Sequence, residues 1–316
     1  MLQYLVILLD DAAASYCHYG VPQRPARPIA PEVLETAIRY AMKENLNVQF
    51  VYPVHELPAY VAELVETVDH SKIKPAAALR TDDADVIVVD KWSAWKDIPL
   101  REEVAYVLRT DWKGLFGHGQ AVAKRLKELT RLNVVLTDVE AFTDADCEWY
   151  AEMLDAWSDK IVNLCATGRM PQVNVLTDRI FLDKPNHCGA GETQLTLAPD
   201  GRFYVCPAFY GHADCFSLGG LDTGPQVLNA QLYRLDHAPL CRQCDAYQCR
   251  RCTWLNLRTT LEVNTPSHEQ CVVAHTEREA SRRLLARLKQ AGINLPDAKE
   301  IKELTYTDPF EVKETW

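Results

Sequence analysis

The chain has 316 residues, of which 47% are hydrophobic, so it can bury a large core without disulfide bonds. Its formal net charge of -10 at pH 7 makes the surface repel phosphate groups. This charge argues against binding to nucleic acids or anionic membranes. At ~100–200 residues per domain, the length predicts one large domain and one small one.

The chain begins with a mostly apolar stretch that ends at Asp10 and Asp11, but this stretch does not resemble an export signal. It lacks a basic start, and no small-residue cleavage site follows it. No segment reaches the ~18 consecutive apolar residues that a membrane span requires. We therefore expect a cytoplasmic protein without membrane contact, whose eleven cysteines are thiols or metal ligands rather than disulfides.

Short apolar runs rich in β-formers alternate with helical patterns through the first half of the chain. Each run is continuous and ends near a polar residue or a proline, as do strands buried on both faces of a parallel sheet. The five predicted strands are Tyr4–Leu9, Val48–Tyr52, Val86–Val89, Val134–Thr137 and Val173–Leu176. The spacing leaves room for a sixth strand.

Helices are predicted between these strands. Pro31 suits the first turn of one helix, and helical spacing of apolar residues also follows Val61 and Val122. Thr143 with Asp146 predicts the cap of a long helix. The alternation of strands and helices predicts an α/β fold, either a partial (β/α) barrel or an open doubly wound sheet.

The pattern changes from about Arg179, where helical periodicity fades and cysteine and glycine become frequent. Leu195–Leu197 and Phe203–Val205 predict two strands joined by a turn at Pro199-Asp200-Gly201. A β-hairpin is therefore expected between Cys188 and Cys206.

A basic helix follows the cysteine-rich region. It carries Leu284, Leu285 and Leu288 on one face and is expected to stop at Gly292, before a charged tail. The predicted units are a partial barrel over residues 1–180, a cysteine-rich module over 181–275, and a C-terminal helix and tail over 276–316.

Seven cysteines of the second half have the spacing of metal or cluster ligands. They are Cys188, Cys206, Cys241, Cys244, Cys249, Cys252 and Cys271. Two pairs, Cys241/Cys244 and Cys249/Cys252, can each present two thiolates from a tight turn. Thiolates are soft ligands that suit both iron–sulfur clusters and zinc. Two four-cysteine sites need eight ligands, and Cys215 can complete the set.

The order of these cysteines resembles the SPASM extension of radical SAM peptide maturases. The sequence reads Cys-x12-Gly-x4-Cys, a gap, Cys-x2-Cys-x4-Cys-x2-Cys, a gap, and Cys, with Cys206-Pro207-Ala208 as a further likeness. The family has five and three residues in the middle block, where this chain has four and two.

The resemblance implies two auxiliary 4Fe–4S clusters, with zinc as the alternative metal. It assigns Cys188, Cys206 and Cys252 to the first cluster, with Cys215 as the fourth ligand unless that position is open to substrate. It assigns Cys241, Cys244, Cys249 and Cys271 to the second cluster.

The resemblance also identifies a missing motif. Radical SAM enzymes hold their catalytic cluster through Cys-x3-Cys-x2-Cys after strand one, whereas this chain has Cys17 alone there. We therefore expect no cleavage of S-adenosylmethionine. Leu9-Asp10-Asp11, Ser15-Tyr16-Cys17-His18-Tyr19 and the cysteine series resemble the CXXX repeat peptide maturases, radical SAM relatives without this motif. That resemblance implies a ribosomally made, cysteine-repeat precursor peptide as substrate.

Polar residues follow two predicted strands, at the sheet edge where parallel-sheet proteins place active sites. They are Asp10, Asp11, Cys17 and His18 after the first strand, and Asp138 and Glu140 after a later one. A cysteine beside a histidine can supply a nucleophile or a metal ligand, and carboxylates can act as bases or bind hard cations. Equally, the two aspartates can cap a turn, and Cys17-His18 can pack in a loop.

Three other residues are assigned no chemistry. Cys147 and Cys165 are expected to be buried as small apolar groups, and His187 to lie in solvent although it precedes Cys188.

Three functions remain open: a peptide maturase, a non-catalytic protein that presents a precursor peptide to a partner maturase, and a zinc-binding structural protein. Because strand one begins at Tyr4, peptide recognition is expected at the barrel edge or on a separate protein rather than in an N-terminal leader-binding domain.

Overall fold

A nine-stranded sheet forms the centre of the computed structural model, which describes residues 1–20, 25–212 and 216–310. Its strands are β1 (Tyr4–Leu8), β2 (Asn47–Val51), β3 (His70–Pro75), β4 (Val86–Val89), β5 (Ala105–Thr110), β6 (Arg131–Leu136), β7 (Gln172–Val173), β8 (Gln194–Leu197) and β9 (Phe203–Tyr204). The strand order is β7-β6-β5-β4-β3-β2-β1-β8-β9, and the β8–β9 pair is antiparallel while the other pairs are parallel.

Helices connect most of these strands. In the described part of the chain they are α1 (Pro31–Lys43), α2 (Ala59–Val65), α3 (Trp92–Asp97), α4 (Trp112–Arg125), α5 (Asp144–Ala166), α6 (Asp178–Phe181), α7 (Pro207–Tyr210), α8 (Thr253–Thr260) and α9 (His268–Gln290). None of the described helices combines the length and the apolar character that a membrane span would need.

The five strands predicted in the first half are present, and two of them differ from the predicted bounds by more than one residue at an end. β6 begins at Arg131, before the predicted start at Val134. β7 ends at Val173, where the hydroxyl of Thr177 accepts a hydrogen bond from the Val173 N–H at 2.7 Å and so closes a turn instead of extending the strand. β3 and β5 were not predicted individually, although the spacing left room for one more strand.

The sheet has two chemically different faces because side chains alternate along each strand. On β1, Leu5 and Ile7 pack with the apolar residues of α1 and α2. Val6 and Leu8 point to the opposite face, where they join Trp254 of α8. The cysteine-rich segment therefore packs on the face of the sheet opposite α1 and α2.

The predicted β-hairpin is present, and it continues the central sheet. β8 pairs in parallel with β1, with Leu5 opposite Leu195. β9 then turns back along β8, through a turn that contains Gly201 at φ +77°. The sheet thus extends past residue 180, where the sequence suggested a change of unit.

The C-terminal helix α9 packs along α5. Leu284, Leu285 and Leu288 are buried in the same core as Trp157 of α5, as their spacing predicted. α9 ends at Gln290, and Gly292 adopts φ +74° just beyond it. The tail then crosses to α6.

Candidate functional site

A cavity of about 630 Å³ lies between the sheet and the cysteine-rich segment, on the face of the sheet opposite α1 and α2. Its lining includes Tyr16, Cys17 and His18 from the segment after β1, together with Val107 of β5 and Val135 of β6. The cysteine-rich segment and α9 supply the remainder, with Cys188, Cys206, Arg250, Cys252 and Glu277 among the lining residues.

Five of the described cysteines line this cavity. Four of them, Cys17, Cys188, Cys206 and Cys252, come from separate parts of the chain and are here called the first thiol group. The fifth, Cys249, also lines the smaller cavity described next. Burial raises the pKa of Cys17 well above its ordinary value, and the neighbouring Cys252 and Cys188 raise it further. Burial raises the pKa of Cys206 in the same way, followed by the effects of Cys252, Cys17 and Cys188. The four thiols are therefore close enough to interact electrostatically.

A second set of four cysteines lines a smaller cavity of about 60 Å³. It consists of Cys241, Cys244, Cys249 and Cys271, here called the second thiol group. Burial raises the pKa of Cys249 to about 12, and Cys241 and Cys244 contribute to the rise. Cys271 lies in the first turn of α9, and its pKa is raised by burial and then by the other three cysteines.

The donor chemistry of both groups fits an iron–sulfur cluster. The ten cysteines that the structure describes are all free thiols, and four thiolates are the ligand set of a 4Fe–4S cluster. Among the described residues, no three His, Cys, Asp or Glu side chains are arranged to hold a single metal ion. Where a thiol is buried, its deprotonation has to be coupled to the binding of a positively charged group.

Buried polar atoms beside the thiols also fit such a group. The hydroxyl of Tyr16, Nδ1 of His275 and Nε of Arg251 are buried and have no hydrogen-bond partner among the described residues. Tyr16 lines the first cavity, His275 the second and Arg251 both. Nε2 of His275 lies 3.4 Å from the Cys244 sulfur. These groups can donate hydrogen bonds to thiolate or cluster sulfur, which tunes such clusters.

The segment that carries Cys17 is fixed to the ends of β5 and β6. Arg109 of β5 donates from Nε to the Cys17 carbonyl at 2.7 Å and from Nη2 to the Tyr19 carbonyl at 2.6 Å, and it pairs with Asp90. His18 places Nδ1 2.7 Å from the carbonyl oxygen of Leu136. Burial lowers the pKa of His18. A neutral His18 donates from Nδ1, so Nε2 carries the lone pair.

Asp10 and Asp11 are buried but lie outside the residues that line the cavity. Asp10 accepts a hydrogen bond from the Ala12 N–H at 2.7 Å. Asp11 forms an ion pair with Arg27 at 2.9 Å and accepts a hydrogen bond from the Tyr210 hydroxyl. The four residues predicted together after strand one thus separate. Cys17 and His18 line the cavity, whereas Asp10 binds the backbone of the turn and Asp11 binds two side chains outside the cavity.

Asp138 and Glu140 hold helices in position. Asp138 accepts a hydrogen bond from the Trp112 N–H at 3.0 Å, and burial raises its pKa. Glu140 forms an ion pair with Arg258 of α8. Neither carboxylate is part of the cavity lining.

The remaining candidate residues have varied surroundings. His187 was expected in solvent, yet it is half-buried, lies 3.2 Å from Glu192 and lines both cavities. Cys147 and Cys165 pack against the core from α5, but they are half-buried rather than buried as predicted. Cys215 lies outside the described residues.

Three residues at the site were missed in the sequence: Arg109, His275 and Glu277. Arg109 interrupts an otherwise apolar strand, which is a signal that could have been used. His275 follows Cys271 by one helical turn, so the two share a face of α9. Glu277 has no such signal, because its position in the cavity depends on how α9 packs.

Comparisons with known proteins give one result at the level of the fold. No protein-family model and no curated protein matches the chain. A solved structure of anSMEcpe with bound AdoMet, an anaerobic sulfatase-maturating radical SAM enzyme, superposes with a TM-score of 0.59 at 14% identity, covering 93% of this chain and 96% of that one. The chain has a radical SAM-like fold.

Two further structures were compared with this fold. Native anSMEcpe with bound AdoMet and the Cp18Cys peptide has a TM-score of 0.56 at 16% identity, covering 90% of this chain and 99% of that one. SuiB of Streptococcus suis bound to S-adenosylmethionine has a TM-score of 0.45 at 13% identity, covering 86% of this chain and 75% of that one. The mostly parallel α/β sheet predicted from the sequence is confirmed by the strand order and by the anSMEcpe likeness.

Proposed function

We propose that this chain is an iron–sulfur protein that takes part in the maturation of a ribosomally made, cysteine-containing peptide without cleaving S-adenosylmethionine. The observation that carries the proposal is the pair of four-thiol groups. The first lines the large cavity and the second the smaller one, with Cys249 lining both. Each group matches the ligand number of a 4Fe–4S cluster. A bound cluster would supply electron transfer, or an iron to which a substrate thiolate could bind.

The large cavity is the proposed place of the peptide. It has room for several side chains, and both apolar residues such as Val107 and polar residues such as Asn133 line it. A solved protein of the same fold is described with a bound peptide, which supports a peptide as the ligand class here.

Two residues of this chain can handle protons in the cavity. His18 is neutral because burial lowers its pKa, so its Nε2 can accept a proton. Burial raises the pKa of Glu277 to about 8, so at neutral pH its carboxyl group holds a proton that it can donate. Both residues line the cavity. His18 adjoins Cys17 of the first thiol group in the chain, whereas Glu277 acts electrostatically on Cys249 of the second.

The absence of S-adenosylmethionine cleavage is part of the proposal and comes from the sequence. Between Leu9 and Gly20 the chain contains one cysteine, Cys17. A cluster that binds S-adenosylmethionine in related proteins needs three cysteines in that stretch. Any radical chemistry on the peptide would then come from a separate enzyme.

A peptide assay tests the function. The full chain is loaded with iron and sulfide under anaerobic conditions and incubated with a synthetic peptide of Cys-x-x-x repeats, with and without dithionite. The mass of the peptide is then measured by mass spectrometry. We expect a mass change that requires the loaded protein and persists in Cys147→Ser, because Cys147 belongs to neither thiol group. Peptide that binds but keeps its mass would assign the chain a presenting role beside an active maturase. Peptide that neither binds nor changes would overturn the proposal.

A further inference from the structure

We propose that Cys17 is the fourth ligand of the first cluster, together with Cys188, Cys206 and Cys252. One cluster would then join the segment after β1 to the cysteine-rich region that follows β7. This inference rests on the proposed function, in that it takes the thiol groups to hold clusters. It replaces the assignment of Cys215 that the resemblance of the sequence implied.

The first observation is the position of Cys17. It lines the same cavity as the other three cysteines and packs against the same apolar core, which contains Trp254 and Phe209. Of the other three, Cys188 precedes β8, Cys206 follows β9 and Cys252 is the N-cap of α8. Cys17 comes from the far end of the sequence, and the sheet brings it there because β8 pairs with β1.

The second observation is that Cys17 is held in place by residues outside the thiol group. Arg109 binds the carbonyls on both sides of His18, and His18 is itself tied to β6. The buried Ser15 hydroxyl donates to the Tyr19 carbonyl, which closes the segment on itself. A ligand held in this way loses little conformational entropy when a cluster binds.

The third observation is the electrostatic setting. Four thiolates around a cluster carry net negative charge, which is costly in a buried site unless cations or hydrogen-bond donors face it. The positive charges of Arg109 and Arg250 act on the Cys17 thiol, and Arg250 lines the cavity. The Tyr16 hydroxyl is buried in the same cavity without a partner among the described residues, so it can donate to sulfur.

Thiol protection on the unmodified full chain tests the inference. Protein loaded with clusters, and the same protein stripped by a chelator, are alkylated anaerobically with iodoacetamide, and each cysteine is followed by peptide mass spectrometry. We expect Cys17, Cys188, Cys206 and Cys252 to be protected together in the loaded form, while Cys147 reacts at the same rate in both. If Cys17 reacts equally in both forms while the other three are protected, the inference is wrong.

A variant gives an independent readout. In Cys17→Ser, we expect iron to fall from about eight towards about four per chain, or one of the two electron paramagnetic resonance signals of the dithionite-reduced protein to change its g-values, since one cluster has lost a sulfur ligand. Cys147→Ser is the matched control. Unchanged iron content and unchanged signals in Cys17→Ser would overturn the inference. If Cys215→Ser instead loses iron or changes a signal, Cys215 is the fourth ligand.

The two proposals fail in different ways. Wild-type protein that takes up no iron and sulfide contradicts the proposed function itself. Wild-type protein that holds two clusters, with Cys17 unprotected and its serine variant unchanged, contradicts this inference and leaves the proposed function standing.

Discussion

The guanidinium of Arg109 positions the segment that carries Cys17, although Arg109 belongs to β5. It is largely buried, and its side chain joins Asp90 to the carbonyls of Cys17 and Tyr19. Hydrogen bonds from a charged donor to carbonyl oxygens are among the stronger ones in proteins. The segment after β1 therefore depends on one residue of β5.

Replacing Arg109 should loosen this segment. We expect Arg109→Ala to lower the free energy of unfolding by about 2–3 kcal/mol, because buried carbonyls lose charged donors. Urea unfolding of the metal-free protein measures this change, and alkylation of Cys17 should become faster. The exposed Arg39 of α1 is the control, since its ion pair with Glu35 lies in solvent and Arg39→Ala should change stability by less than about 0.5 kcal/mol. Equal effects of the two variants would contradict the positioning role of Arg109.

Gly191 is constrained in two ways, just before β8. Its φ is +80°, and a Cβ would approach the Tyr233 ring to 2.6 Å. Gly168 has a similar φ of +83° but no atom within 4 Å of the same position.

The glycine pair separates backbone strain from steric contact. We expect Gly168→Ala to cost about 1 kcal/mol of stability from its backbone conformation alone, and Gly191→Ala to cost at least about 2 kcal/mol. Thermal and urea unfolding of both variants measure the difference. If Gly191→Ala is no more destabilising than Gly168→Ala, the contact with Tyr233 is not a tight one.

At the scale of elements, the sequence predicted what local patterns encode and missed what distant partners stabilise. Continuous apolar runs such as Val86–Val89 were read correctly as a buried strand. β3 was missed because it contains Lys72 and Lys74, which are typical of an exposed segment. In the structure both lysines form ion pairs, Lys72 with Glu66 and Asp83, and Lys74 with Asp83. The hairpin was predicted as well, but its pairing with β1 depends on tertiary contacts.

The same limit applies to the candidate site. The spacing of the cysteines from Cys188 to Cys271 identified most members of both thiol groups, because ligands that share a tight turn have a recognisable short spacing in the sequence. The grouping of Cys17 with Cys188, Cys206 and Cys252 could not be predicted, because it arises from the fold of the sheet.

The contact between α5 and α9 includes a buried acid. The Tyr150 hydroxyl donates to Glu277 at 2.9 Å, and burial raises the pKa of Glu277 to about 8. An unfolded glutamate has a pKa near ~4.3. Between these values the folded protein binds more protons than the unfolded chain, so stability falls as pH rises from about 5 to about 8.

Removing this acid should remove that part of the pH dependence. We expect Glu277→Gln to gain about 3–4 kcal/mol of stability relative to the wild type as the pH rises from about 5 to about 8. The measurement is urea unfolding of metal-free protein at a series of pH values. Glu152→Gln, on an exposed position of α5, should follow the wild-type curve. A Glu277→Gln curve parallel to the wild type would show that Glu277 is ionised in the folded protein.

At the scale of the whole molecule, each thiol group gathers cysteines that are distant in the sequence. The first contains residues 17, 188, 206 and 252, and the second places the segment around Cys241 beside the first turn of α9. The tail is tied separately, through the Lys299 N–H and the carbonyl of Ile180 at 2.7 Å. Ligands of this kind stabilise the folded state by the free energy of binding.

If the thiol groups hold clusters, as we propose, removal of the clusters should lower the Tm of the full chain. We expect anaerobic treatment with a chelator to lower it by at least about 5 °C, because binding to the folded chain alone adds its free energy to stability. Differential scanning calorimetry before treatment, after treatment and after reloading measures this change. A Tm that stays constant through all three states would mean that the thiol groups contribute no bound ligand to the folded protein.

The most direct test of the account is the content of the two thiol groups. Full-length protein purified anaerobically should be brown, should absorb in the visible range from sulfur-to-iron charge transfer, and should contain about eight irons and about eight sulfides per chain. Colourless protein that contains zinc instead of iron and sulfide would contradict the central claim.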